Sequence, residues 1–372
     1  MRTSNLRFPL FALVILMLIS GGWAALQRAG WSLPTFNSSL VGLHGPLMIC
    51  GVFGTLISLE RAVALFAVAG SRGLWAFLAP AISGLGGLLL VTGISVDASK
   101  WCFVIASIIM VAIYLYTAIT RRYWTQYALI MGFGAVLWGI GNLLWAANQP
   151  IYVAVHLWMA FIVLTIVGER LELSRVTRLT RKSTYQLSGA VVVYSLGVLI
   201  AIFSLDLGTR IAGIGMILLS LWLFRFDIAG KRLRSSGLTQ YIALCLFTGY
   251  IWLGVGGLIG ILNGALYAGY QYDAFIHSIV AGFILSMVFG HAPMIVPALT
   301  GRHITFSPFM YVPLAILHFS LILRLISDFS GSFDGRMTAS AINAISIILF
   351  LIIMAYGLVK GAAPRQKPLG AQ

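Results

Sequence analysis

Residues 44–61 read HGPLMICGVFGTLISLER: a histidine, an apolar run, then an acid and a base side by side. A helix needs about 20 apolar residues to cross the hydrocarbon core of a bilayer. This stretch therefore reads as most of one crossing, with His44 near its start and Glu60-Arg61 at its far end. The pattern returns twice. His156 opens a run that closes on Glu169-Arg170, and His277 opens one that reaches His291. The separations are 16, 13 and 14 residues, so the repeat is approximate. It falls in the second, sixth and tenth apolar segments, a four-helix period whose members run the same way across the membrane. His44, His156 and His277 then lie at one depth, about 5–10 Å inside the boundary at 1.5 Å per residue. An ionisable side chain inside a membrane is a functional hypothesis by default. Three imidazoles on one level point to a metal or haem site.

The whole chain agrees with a membrane reading. Of its 372 residues 60% are hydrophobic and only 9% charged, with a mean hydropathy of +0.98. Ordinary soluble domains carry about a quarter charged residues. The fold class expected is an all-α polytopic membrane protein, a single transmembrane domain over residues 1–372 with no soluble domain. The net charge of +15 would suggest nucleic acid in a soluble protein, but the basic residues here sit in short loops on alternate sides, so no nucleic-acid partner is expected. Cys50, Cys102 and Cys245 are odd in number and form no C-x-x-C spacing. They read as small core residues.

Apolar runs between breaks place helix 1 at 8–26, helix 2 at 40–59 with a continuation to Ala69, helix 3 at 73–93 and helix 4 at 101–119. Helix 5 covers 124–146, helix 6 covers 150–168, helix 7 covers 185–204 and helix 8 covers 209–226. Helix 9 covers 239–262, helix 10 covers 274–294, helix 11 covers 306–326 and helix 12 covers 339–359. Arg2 and Arg7 before the run from Phe8 resemble a secretory signal. An even topology needs that segment retained, as helix 1. The termini and the loops after even-numbered helices hold 19 Lys and Arg, the opposite loops 5. That asymmetry places both termini in the cytoplasm, and Arg170, Arg175, Arg178, Arg181, Lys182, Arg225, Lys231, Arg232 and Arg234 contribute most. Trp101, Trp124, Trp145 and Trp252 fit interfacial anchoring or packing.

Sulfur recurs beside the histidines. Met48 follows His44 at i+4, Met159 follows His156 at i+3 and Met294 follows His291 at i+3. Such spacings can put imidazole and thioether on one helical face, a pair that suits Cu(I) or haem iron. Met is also a common gap-filler, and each histidine taken singly reads as a core imidazole bonded to a carbonyl. His291 lies about 21 Å along the helix from His277 and belongs to a second site or an interface. Pro293 is expected to end or kink helix 10 there. His303 reads as a solvated loop residue and His318 as packing. No Ser/His/Asp set, acid pair within a helix or phosphate-cradling loop is present. Gly84-Leu-Gly-Gly and Gly254-Val-Gly-Gly would let helices approach closely, and Asn142, Asn263 and Asn343 could bridge them.

His44-Gly-Pro-Leu-Met48 with Gly51-Val-Phe-Gly54, and His277, Gly282, Met287, Gly290-His291 with Thr300-Gly301-Arg302, resemble the NnrS family of twelve-helix membrane proteins. That family is reported to bind haem and copper and is tied to the nitric oxide response of bacteria. It is in turn similar to the haem-copper oxidase catalytic subunit, built from three four-helix arcs. The chain departs from the family: helix 2 has one His where the pattern has His-x-His and an acid, and residues intervene between Gly290-His291 and Thr-Gly-Arg. Helix 7 lacks a His pair and helix 6 lacks His-x-x-x-Tyr, so an oxygen-reducing dinuclear centre is incomplete. The resemblance implies haem b between His44 and His277, with copper as a further cofactor at a metal set drawn from His44, His156, His277 and His291. It implies a bacterial inner-membrane location and, as partners, the lipid bilayer and a small diatomic such as nitric oxide, with a homo-oligomer compatible. A twelve-helix secondary transporter and a copper-handling membrane protein are the competing readings. A transporter of two six-helix halves would show a six-helix period.

Overall fold

The computed structural model describes residues 4–121, 124–174 and 179–361. Arg2, Arg122, Arg175, Arg178, Arg365 and Lys367, which enter the charge count, lie outside the described residues. Every regular element among the described residues is helical, and the protein is an all-α polytopic membrane protein. Eleven segments are long and apolar enough to cross a membrane. The longest, His44–Thr92, has 49 residues. As a straight helix it would extend about 74 Å, more than twice the roughly 30 Å core.

It does not run straight. We label α1 Ser4–Ala29, and α2 the span 44–69, which closes at Gly70. Gly70 has φ 59°, a conformation that glycine adopts without the steric cost of a Cβ. A 3-10 stretch, Gly70–Phe77, then leads into α3 (Leu78–Thr92), which packs back along α2. Predicted helices 2 and 3 thus occupy one continuous apolar segment with a reversal inside it. The chain continues with α4 (Val96–Arg121), α5 (Gln126–Ala146), α6 (Ile151–Ser174), α7 (Arg181–Ile200), α8 (Leu205–Phe226) and α9 (Gly237–Asn263). It ends with α10 (270–300), α11 (Tyr311–Ser330) and α12 (Phe333–Lys360).

Neighbours in sequence pack as neighbours in space, and α12 returns to α1. The Trp31 indole, just after α1, donates to the Met337 carbonyl of α12 at 3.0 Å. The middle helix of this ring is α6. In its most apolar stretch 83% of residues are buried, against 22% in α1 and in α12. A helix that is apolar all round belongs in a core, and α6 touches α2, α5, α7, α8 and α10.

Small residues set the closest approaches, as their spacing predicts. A Cβ on Gly87 would overlap the Met17 sulfur, and one on Gly257 would press on the Gly213 carbonyl. Asn142 ties three helices: its amide donates to the Phe103 carbonyl at 3.0 Å and its oxygen accepts from Cys50 Sγ at 3.4 Å. Asn343 reaches Ser320 Oγ at 3.2 Å. Asn263 does not bridge; it turns back to the Ile259 carbonyl of its own helix. Trp101 and Trp124 are exposed, where they can anchor at an interface, whereas Trp145 and Trp252 are buried in packing. The three cysteines are free.

Two helices depart from α geometry, and they are the two that carry the first and third histidines of the repeat. In α2 a π-helical segment, Leu47–Phe53, follows the turn His44–Pro46. In α10 a π-helical segment, Ser278–Ile284, follows Tyr270–His277. Pro46 offers no N–H, and Gly282 lies so close to the Trp252 ring that a Cβ would overlap it. Helix 10 also runs further than expected. Pro293 and Pro297 both lie inside it, and it stops at Thr300 with Gly301 at φ 71°. The expected break at Pro293 does not occur, because the carbonyl a proline frees within a membrane helix can be re-satisfied locally.

Candidate functional site

At the end of the bundle where α2, α6 and α10 begin, the helices part around a cavity of about 700 Å³. That lies within the range of small-molecule and cofactor pockets. Both His44 and His277 line it. Two residues 233 positions apart in the chain therefore share one space, as their common depth predicts.

Each imidazole is held in the same way. His44 Nδ1 lies 2.9 Å from the Gly21 carbonyl of α1, and His277 Nδ1 lies 2.9 Å from the Asp273 carbonyl one turn back in α10. A carbonyl only accepts, so Nδ1 carries the proton in both rings. The remaining nitrogen, Nε2, is then the one with a free lone pair in each. Metal-ligating histidines commonly have their second nitrogen bonded in this fashion. The small side chains around them are a consequence of the sequence: Gly42, Gly45 and Pro46 leave room beside His44.

His156 behaves differently. It is 1% exposed and absent from the cavity wall, although Tyr152 and Val155 of the same helix line it. Its ring sits 5.7 Å from that of Phe275, and neither nitrogen has a hydrogen-bond partner. The three levels thus resolve into a pair and a separate buried imidazole. Among the described residues, no three His, Cys, Asp or Glu side chains converge as a metal-holding group.

His291 is at the opposite end, also off the cavity. Its Nδ1 bonds the Met287 carbonyl at 2.6 Å and its Nε2 is buried without a partner. His318 accepts from the Trp252 indole at 2.9 Å, and His303 is exposed. Of the three methionines, Met48 lines the cavity with His44. Met159 is fully buried in the core and Met294 is 44% exposed.

The repeat's far ends also meet. Arg61 Nη2 lies 2.8 Å from Glu60 and 2.6 Å from Glu169, which ties α2 to α6. The adjacent Arg170 points the other way, 3.7 Å from Asp227, whose carboxylate also accepts from the Tyr250 hydroxyl and from Ser174 Oγ at 3.2 Å. One helix, α6, is thereby clamped on both flanks by neighbouring residues of opposite sign.

Four charged residues at the cavity, Arg28, Asp273, Arg324 and Arg336, were not among the expected site residues. Asp273 is bound by the Arg324 guanidinium at 2.6 and 3.0 Å. Arg336 lies 4.9 Å from the Tyr270 ring. The i−4 spacing of Asp273 from His277 was a legible signal, because those positions share a helix face. Arg324 and Arg336 were legible only as loop charges, since their reach into the cavity depends on how α11 and α12 close against α10.

No curated protein matches the chain. A family model does match over residues 7–359, nearly its whole length. The chain belongs to the family described as "Domain of unknown function (DUF8744)".

Proposed function

We propose that the protein is a haem-binding membrane protein in which His44 and His277 would hold one haem b. The observation that carries this reading is the shared cavity with both Nδ1 atoms bonded to main-chain carbonyls, which leaves both Nε2 lone pairs free. A haem held there would supply an iron that exchanges single electrons, and a diatomic gas would reach that iron only by taking the place of one imidazole, with the apolar walls controlling its access. The sequence resemblance to NnrS makes nitric oxide or a related diatomic the ligand class, with the role one of response or protection. His156, buried with two unpartnered nitrogens, is the residue best suited to a separate copper.

The reading includes a topology: twelve crossings, because the His44–Thr92 segment reverses at Gly70, arranged as three four-helix arcs in a bacterial inner membrane with both termini cytoplasmic. Reporter fusions after Arg181 and after Lys231 read cytoplasmic, and one near Gly264 reads periplasmic. The reverse pattern removes the shared depth of the histidines.

One observation favours a second reading, a secondary transporter. Transporter sites are commonly built from interrupted helices near the bilayer interior, and α2 and α10 are interrupted beside the cavity. A copper-handling protein would instead use His44 with Met48. A visible absorption spectrum of the purified protein, taken with its metal content, separates the three. A Soret band is the expected result. Copper without haem favours copper handling, and neither favours transport.

A further inference from the structure

The two imidazoles at the cavity have unequal backing. Behind His44 Nδ1 is a neutral main-chain carbonyl, that of Gly21. Behind His277 Nδ1 stands Asp273, which presents its carbonyl at 2.9 Å and a carboxylate oxygen, Oδ1, at 3.3 Å. The carboxylate is itself held by Arg324, through Nε to Oδ2 at 2.6 Å and Nη2 to Oδ1 at 3.0 Å. Arg324 Nη1 is anchored on Ser340 Oγ of α12 at 3.1 Å. Both charges are largely removed from solvent, with 17% and 11% of the Asp273 and Arg324 side chains exposed. Salt screens such charges much less than surface ones.

We propose that Asp273 and Arg324 are positioning residues that set the reduction potential of the metal group bound at His277, pulling it in opposite directions. The inference rests on the haem reading above. A carboxylate behind an imidazole raises the donor strength of the far nitrogen. That favours the oxidised iron, which carries one more positive charge, and so lowers the potential. Arg324 offsets this by neutralising the carboxylate and by placing a positive charge on the same side.

The signs follow. In Asp273→Asn the negative charge is lost and the arginine is left uncompensated, so the potential rises. In Arg324→Gln the carboxylate is left uncompensated, so it falls. The two substitutions remove opposite ends of one contact, and a purely structural role would move both variants the same way or neither. Asp328 is a second acid within electrostatic reach of Arg324 and Asp273, fully buried one turn along α11. No contact joins it to His277, so Asp328→Asn shifts the potential less than Asp273→Asn.

The test is a redox titration of the purified full chain loaded with haem b, with the optical spectrum recorded at each step. Opposite shifts for Asp273→Asn and Arg324→Gln, on an unchanged low-spin spectrum, are the expected result. Unmoved potentials, shifts of the same sign, or a larger shift in Asp328→Asn overturn the inference and leave the haem reading standing. A parent protein that takes up no haem overturns both. Should Asp273→Asn fail to assemble, Arg324→Gln decides the matter alone, because it keeps the Asp273–His277 contact: a lower potential supports the inference, and an equal or higher one defeats it.

Discussion

His44→Ala and His277→Ala each abolish the Soret band of the purified protein, while His303→Ala leaves it intact. On the haem reading the effect is large because, among the described residues, His44 and His277 are the two histidines that line the cavity, and neither can be replaced from nearby. His156 is sequestered against Phe275, and His291 lies at the other end of α10, off the cavity. His303 is exposed and distant, so its loss costs nothing at the site. Spectra of the four alanine variants, taken at matched protein concentration, give the comparison. His156→Ala keeps the haem spectrum, and it loses copper if that residue holds a separate metal. Four variants that keep the parent's Soret band would make these histidines structural and place the haem elsewhere, and a parent with neither haem nor copper would return the transporter reading.

Arg170→Met produces the largest loss of folded protein of any single substitution at the charged cluster of Glu60, Arg61, Glu169, Arg170 and Asp227. Arg170 and Asp227 are 3% and 4% exposed, and the carboxylate has no other cation within ion-pair distance among the described residues. Breaking such a pair by removing one partner typically costs about 3–5 kcal/mol, since a buried charge is left alone. At roughly 1.4 kcal/mol per factor of ten, even the lower figure reduces the folding equilibrium constant about a hundredfold. Replacing both partners, as Arg170→Met with Asp227→Leu, recovers much of it, because two apolar groups leave no bare charge. The Tyr250 hydroxyl, which donates to Asp227, then loses its acceptor, so recovery is incomplete. Yield of monodisperse protein after detergent extraction, with thermal stability of each variant, tests the pair. A single variant as stable as the parent would show that α6 is held by its packing alone.

The membrane class and the position of nearly every helix were legible in the chain, because 20-residue apolar runs have no other stable home than a bilayer or a core. The meeting of His44 and His277 in one cavity was legible too, since rise per residue converts a sequence offset directly into a place along each helix. The matching places of Glu60-Arg61 and Glu169-Arg170 at the far ends of two helices were legible as well, and the structure adds that Arg61 pairs with Glu169.

Rotation about the helix axis was not legible in α6. Depth puts His156 level with the other two, but α6 is apolar on every face, so no polar stripe reveals which residues look toward the cavity. Only the packing of α6 among five neighbours turns Val155 and Tyr152 to the space and His156 away from it. The two π-helical segments were equally hidden, for they arise where close contacts force an extra residue into a turn. The Arg324–Asp273–His277 chain likewise joins α11 to α10 through side chains from separate helices. What the sequence by itself determined is how far along its helix each group lies, a one-dimensional quantity carried by hydropathy and helical rise. What only the tertiary structure decided is which groups face each other, because that depends on the azimuth of each helix, and in lipid the azimuth is settled by side-chain packing and not by the hydrophobic effect.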